Sequence, residues 1–450
     1  MLKQLAGCVR EYKRPTILTL IFIVGEAVIE TIIPFITANL VNRIKAGASI
    51  ESVMEVGLLL IIMAAISLVC GGLAGFTCAK ASTGFAKNLR SDLFHRIQTY
   101  SFENIDKFSS SSLVTRMTTD VTNVQMAFMM LIRIAIRSPL LLIFSTVMAF
   151  VMGGKLAFVF VVVIPILAFG LLAIGKKAMP AFRSVFKKYD RLNESIEENV
   201  RGMRVVKGFS REEYEKQKFN TAADNIRKDF TKAECIVALN TPLMNLCMYI
   251  NMVVVLLVGS KLAITSGGSA LDVGQISGML TYGMQILMSL MMLSMIYVMV
   301  TMSAESAKRI CEVLEEEPSL KEPENPVMEV KDGSIEFKNV NFKYSAKAKK
   351  YALSDIDLSI RSGMTVGIIG GTGSSKSSLV QLIPRLYDVT EGAVLVGGVD
   401  VRSYDIPTLR SAVAMVLQKN VLFSGTIKEN LRWGNETATD EEIMEACRLS

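Results

Sequence analysis

The chain has 450 residues, of which 51% are hydrophobic and only 20% charged, and its mean hydropathy is +0.40. That is too apolar for an ordinary soluble protein and long enough for two or three domains, so a membrane class is expected. The formal charge of +7 suits either a nucleic-acid binder or the cation-rich loops of a membrane protein, and its distribution decides between them.

The N-terminal residues hold no short apolar core ending in a small-residue cleavage site, so no removed signal peptide is expected. Leu2, Leu5 and Val9 among Lys3, Arg10, Lys13 and Arg14 predict a short amphipathic helix on the cytoplasmic face; the alternative is a frayed basic terminus. A helix needs about 20 apolar residues to cross the hydrocarbon. Six stretches qualify: Thr16 to Leu40, Val53 to Cys78, Ala127 to Met152, Leu156 to Ile174, Cys235 to Leu262 and Ile276 to Met302. The loops after the second and fourth are long and basic, and the others carry few cations. The positive-inside rule therefore puts both termini and the long loops in the cytoplasm. Cations that adjoin hydrophobic spans disfavour a nucleic-acid partner.

Glu26 and Glu30 lie one helical turn apart in the first span, with Arg133 and Arg137 at comparable depth in the third. A charge there is costly and needs a partner or a wet cavity, so two readings stand: ion pairing between the helices, or an acidic patch for cationic cargo. The long loops repeat apolar residues at three and four spacing (Phe182, Val185, Phe186, then Leu192, Ile196, Val200), which predicts helices running well past the bilayer. The pattern breaks at "FENIDKFSSSSLVTRM" and "VVKGFSREEY", the tips of two helical hairpins carrying either a plain stalk turn or a short docking helix. His95, the only histidine, reads as a helix-surface residue. The sixth span is rich in methionine, which either fills gaps between helices or offers an adaptable apolar surface. Seven cysteines with no C-x-x-C pair, several in apolar runs (Cys70, Cys78, Cys247), read as small buried residues.

An acidic, proline-rich stretch after the sixth span marks a linker at 316–331. Beyond it "SIEFKNVNFKY" and "ALSDIDLSI" predict strands, and "MTVGIIG" predicts a buried parallel strand. That run enters "GGTGSSKSS", followed by a predicted helix with Leu379, Leu382 and Leu386 on one stripe. The spacing from Gly370 approaches G-x-x-x-x-G-K-[ST], with Ser375 standing where the second glycine is usual. Gly370, Gly371 and Gly373 let backbone N–H groups curl around an anion, Lys376 would reach the β and γ phosphates, and the Ser377 hydroxyl would hold Mg²⁺. Serine fits at position 375 if its φ is negative.

Taken together, the spans, the helical loops, "NFKYS", "GGTGSSKSS" and "VLQKNVLFSGTIKENLRWG" resemble a half-transporter of the ATP-binding cassette (ABC) exporter family, type IV fold, multidrug or lipid type. The resemblance is greatest to one subunit of bacterial heterodimeric multidrug exporters. It implies a six-span α-helical transmembrane domain at 1–315, with coupling helices in loops 80–126 and 176–232, then an incomplete α/β P-loop nucleotide-binding domain at 332–450. It implies ATP and Mg²⁺ as cofactors, bound by Gly370, Gly371, Thr372, Gly373, Ser374, Ser375, Lys376, Ser377 and Ser378. Tyr344 would stack on adenine, and Gln418 would contact Mg²⁺ or the attacking water. The coupling helices fall around Asn104 to Ser110 and Gly208 to Glu213. The resemblance also places an LSGG signature, a Walker B base and a switch histidine after Ser450, so a C-terminally truncated chain without its own catalytic base is expected. The implied function is ATP-driven export of amphipathic compounds across the cell membrane by a dimer with a second half-transporter, different or identical. The alternative is a non-hydrolytic nucleotide-binding regulatory subunit or an ATP-gated pore.

Overall fold

The structure is a computed structural model that describes residues 2–269, 271–345, 348–417 and 421–450. The chain divides into two compact units, one of Met1–Gln98 with Ser111–Glu316 and one of Thr99–Ser110 with Glu317–Ser450.

The first unit is helical. It opens with the expected short helix, Leu2–Gly7, and continues through Lys13–Lys45, Ile50–Gln98, Val121–Gly153, Phe158–Arg201, Glu212–Ala238, Asn240–Thr265 and Val273–Glu315. Among the described residues five helical stretches are long and apolar enough to cross a membrane, and the third, Ser110–Val185, is broken at Gly154, where φ is 50°. Prolines 34, 139, 165 and 180 sit inside these helices, as membrane helices tolerate when neighbours re-satisfy the freed backbone groups. The 49-residue helix Ile50–Gln98 and the 44-residue Phe158–Arg201 run without interruption through the predicted span into the polar loop, as the three-and-four apolar spacing requires. The Phe186 side chain lies outside the described residues.

Small residues let these helices close on one another. One core gathers Ala38, Ala149, Met152, Phe160, Val255 and Tyr282, and the fully buried Tyr282 donates its hydroxyl to the Thr31 carbonyl at 2.7 Å. Cβ atoms added at Gly153 or Gly278 would lie 2.1 Å from Met279 Sδ and 2.6 Å from Met152 Cε, so methionines do fill gaps between these helices. Met284, Met288 and Met295 point outward instead, each more than half exposed. The sixth apolar stretch thus uses its methionines both ways. Cys78 and Cys247 are buried and Cys70 half-buried, whereas Cys235 and Cys447 are exposed.

Near the N-terminal end of the Val121–Gly153 helix, a π-helical turn at Arg116–Asp120 places two buried charges against the Val273–Glu315 helix. Asp120 is bonded by Arg309 and Ser306, and Arg116 Nη1 reaches Glu312 Oε2 at 3.2 Å.

The second unit is built on a four-stranded antiparallel sheet, order β2-β1-β3-β4, from Ile335–Phe342 (β1), Leu353–Ile360 (β2), Glu391–Val396 (β3) and Val399–Asp400 (β4). Strands β1 and β2 occupy the two stretches whose alternation predicted them. The face built from Phe337, Val340, Phe342, Val394 and Val396 packs on Leu382, Leu386 and Tyr404. The linker is fastened to this unit: Arg385, 3% exposed, donates from Nη2 to the Lys321 carbonyl, and Val327 exchanges backbone bonds with Ser403 and Asp405.

One prediction fails here. Residues 364–370, expected as a buried parallel strand, form no strand and are exposed, with Ile369 at 99%. A continuous apolar run needs neighbours on both edges and both faces. The described sheet is antiparallel throughout and offers this run none.

Candidate functional site

The glycine-rich segment turns at 372–374 and enters a helix at Lys376–Leu382. The helix ends at Leu382, two residues before Pro384, although Ile383 still has helical backbone angles. Leu382 is fully buried and Leu386 nearly so, with Leu379 packed against them, so the predicted apolar stripe is present.

Gly373 has φ 85°, a left-handed conformation that costs glycine nothing. Two residues on, Ser375 has φ 59° and ψ 24°, with no side-chain cap to the helix it precedes. The expectation that serine fits here through a negative φ is therefore wrong. The loop keeps the left-handed geometry a second glycine would supply, and Ser375 bears about 1 kcal/mol or somewhat more for it.

Lys376 folds back over the loop. Its Nζ donates to the Gly370 and Gly371 carbonyls at 2.8 Å each and to Ser374 Oγ at 3.2 Å. Ser374 closes the turn from its own side, its hydroxyl donating to the Gly371 carbonyl at 2.9 Å. A Cβ at Gly371 would meet nothing within 4 Å, so the loop faces open space there. Thr372 and Ser377 are exposed, whereas Ser378, one residue further along the helix, is buried.

Tyr344 comes to the same place from the end of β1. Its hydroxyl lies 2.6 Å from Ser378 Oγ, and its ring stands edge-on to Phe342 at 4.8 Å and to Tyr387 at 5.2 Å. At 42% exposed, the ring keeps one side open. The end of β1 and the start of the helix after the loop are thus in contact, Tyr344 and Ser378 being 34 positions apart in the numbering. Gln418 lies outside the described residues.

Sequence reasoning missed Tyr387. Its hydroxyl donates to Asp106 Oδ2 at 2.7 Å, and its ring lies 6.0 Å from Phe102. Burial, then the Asp106 carboxylate, pushes the Tyr387 hydroxyl pKa well above the usual tyrosine value. Asp106 and Phe102 belong to a helix at the first hairpin tip, Phe102–Phe108, started by a capping box between Ser101 and Asn104. Asn104 also bonds the linker, donating to the Glu317 carbonyl and accepting from the Ser319 amide, both at 3.0 Å. The sequence signal was the serine-x-x-asparagine cap just before an apolar residue. At the second tip the short helix is Met203–Gly208, ahead of the expected Gly208 to Glu213, because Gly202 breaks the long helix and Ser210 at φ 51° turns the chain. Beside it the hairpin encloses an open groove of about 810 Å³ lined by Ile196, Val200, Met203 and Phe219.

In the membrane region, Arg137 Nη2 binds Glu30 Oε1 at 2.6 Å and Glu26 Oε1 at 3.5 Å. Gln285, itself bonded by Ser145 at 2.8 Å, donates to the Glu30 carbonyl at 3.3 Å. Arg133 makes no ion pair among the described residues. Inter-helix pairing, the first of the two readings, is what the geometry displays.

The family described as ABC transporter transmembrane region matches residues 16–290, and the family described as ABC transporter matches 353–450. The chain is 34% identical over 433 residues to the uncharacterized ABC transporter ATP-binding protein YfiB of Bacillus subtilis, an alignment covering 96% of this chain and 75% of YfiB. It is 32% identical over 447 residues to an uncharacterized ABC transporter ATP-binding protein of Mycobacterium tuberculosis, covering 98% and 76% of the two chains. A fatty acid ABC transporter ATP-binding/permease protein of Mycobacterium bovis is 30% identical over 362 residues, 80% of this chain and 56% of that protein. With a helical membrane region and a nucleotide-binding region joined in one polypeptide, the chain is a multi-pass, ATP-binding membrane protein that belongs to the ABC transporter family.

Proposed function

We propose that the chain is one half of a dimeric exporter that uses ATP to move amphipathic compounds out of the cell. The observation that carries this reading is the lysine-centred loop Gly370–Ser378 with Tyr344 hydrogen-bonded at its edge, following a membrane region on the same chain. On this reading the chain crosses the cell membrane six times with both ends cytoplasmic, and its domains fall at 1–315 and 332–450 with the linker at 316–331. The loop amides of Gly370 to Ser375 and the Lys376 ammonium cradle the phosphates, Ser377 and Gln418 hold Mg²⁺, and adenine lies on the open side of Tyr344. Lys376 exchanges its two carbonyl partners for phosphate oxygens when nucleotide enters, ion–ion hydrogen bonds replacing ion–dipole ones. The partner is a second half-transporter, and closure of two nucleotide domains drives the membrane halves outward. A relative named for fatty acids and the outward methionines of the sixth apolar stretch support an apolar or amphipathic cargo.

The strained Ser375 favours a second reading, a nucleotide-binding subunit that regulates or gates without hydrolysing. Inverted vesicles carrying the natural assembly separate the two. Accumulation of a lipophilic dye that requires ATP, and is lost both with a non-hydrolysable analogue and with Lys376→Met, supports the pump. Binding of MgATP with no hydrolysis-dependent accumulation supports the regulator.

A further inference from the structure

Beneath the N-terminal helix lies a cavity of about 270 Å³ that the nucleotide site does not use. Leu5, Val9, Phe85, Ala127, Phe128 and Ala304 are among the residues that line it. Among the described residues that line it, only Ser303 is polar.

The N-terminal segment is held in place. Asn88 Nδ2 donates to the Cys8 carbonyl at 3.0 Å, Arg10 Nη2 pairs with Asp92 Oδ1 at 2.9 Å, and the Tyr12 ring lies where a Cβ on Gly84 would approach within 2.3 Å. The cavity is therefore a built feature and not a gap under a loose terminus. Left unoccupied, an open apolar slot keeps its walls exposed to water, which costs free energy in proportion to the apolar area. An apolar ligand removes that cost.

Charge identifies the ligand. The N-terminal segment carries four cations, Lys3, Arg10, Lys13 and Arg14. Arg10 is committed to Asp92, while Lys3, Lys13 and Arg14 are exposed and make no ion pair among the described residues. These free cations flank the start of the first span, whose Ile17, Leu18 and Ile21 are exposed as lipid-facing residues are. An apolar slot beside unpaired cations at a membrane boundary matches one molecule chemically, an anionic lipid. The volume lies just below that of a drug-sized pocket, so it admits a chain rather than a whole lipid.

We propose that this cavity holds one acyl chain of an anionic phospholipid from the adjoining leaflet, with the phosphate bound by Lys13 and Arg14 and supported by Lys3. The site is independent of the transport reading above.

The full chain, with any natural partner, would be placed in nanodiscs of equal phosphatidylglycerol and phosphatidylcholine, released, and its retained lipids counted by native mass spectrometry. Phosphatidylglycerol should be retained about tenfold or more over phosphatidylcholine, given two or three cations near the headgroup. Lys13→Gln and Arg14→Gln should each reduce that preference about fivefold. These two exposed positions leave the core untouched, so they keep the test sound if the cavity-filling Ala304→Phe fails to fold. Equal retention of both lipids, a preference unchanged in the double charge variant, or a cavity found covered by the partner subunit would each overturn the proposal.

Discussion

Asp120 has no exposed surface and is held by Arg309, which donates from Nε at 2.8 Å and also from Nη2, while the Ser306 hydroxyl donates at 2.8 Å. The pair ties the π-helical turn to the end of the helix that leads into the linker. Removing one member of a fully buried pair costs roughly 3–5 kcal/mol, but the Arg309 side chain is 49% exposed and can rehydrate. Asp120→Ala should therefore cost about 2 kcal/mol, seen as a lower thermal midpoint in detergent, and Ser306→Ala about 1 kcal/mol or less. An unchanged midpoint in Asp120→Ala would show that the bidentate bond adds nothing net.

Ser375→Gly should stabilise the nucleotide-binding unit, since the strain belongs to the folded loop itself. The left-handed backbone costs a non-glycine residue about 1–2 kcal/mol, while glycine loses about 0.5–1 kcal/mol in conformational entropy, so the net gain is about 0.5–1 kcal/mol. The thermal midpoint should rise by a few degrees with glycine, whereas Ser375→Val, branched at Cβ in the same conformation, should lower it. Equal midpoints for serine, glycine and valine would mean that the loop does not keep this backbone.

Much of this was legible in the sequence because it is local. Period-two alternation located β1 and β2, three-and-four spacing carried the long helices past the membrane, and glycine spacing found the loop around Lys376. Two of the failures share a cause, a decisive partner distant in sequence, whereas the one at Ser375 is local. Whether residues 364–370 form a strand depends on neighbours the run itself cannot specify. The sign of φ at Ser375 follows from how the loop closes through Ser374 and Lys376. Tyr387 acquires its role from Asp106, 281 residues away.

The charge pair in the membrane predicts a rescue. Glu30→Gln leaves Arg137 with only the longer bond to Glu26, and should lower the amount of folded protein and its thermal midpoint. Neutralising both sides, Glu30→Gln with Arg137→Gln, should recover part of the loss, because no uncompensated guanidinium remains. If instead Glu30→Gln folds normally and loses only cationic cargo in a vesicle uptake assay, the carboxylate serves transport and the pairing is incidental.

Cys8 offers a probe of the N-terminal segment. Burial, followed by its bond to Asp92, pushes the thiol from 9.0 up to about 11. The folded state thus favours the neutral thiol: this contribution to stability is fully present below about pH 9 and is lost as pH rises through about 11. At pH 8 a maleimide should label the exposed Cys447 readily and Cys8 only after denaturation. Rapid labelling of both in the native protein would mean that the N-terminal segment opens.

The helix Phe102–Phe108 lies some two hundred residues before the linker in sequence, yet it folds as part of the nucleotide-binding unit, with Asn104 gripping Glu317 and Ser319 and Asp106 gripping Tyr387. A genetic cut at the linker is therefore not a cut between folding units. A C-terminal fragment expressed alone would expose the ring of Tyr387 and strip the linker of its asparagine clamp. Its solubility and nucleotide affinity would then describe a body with one of its own pieces left behind on the other half of the gene.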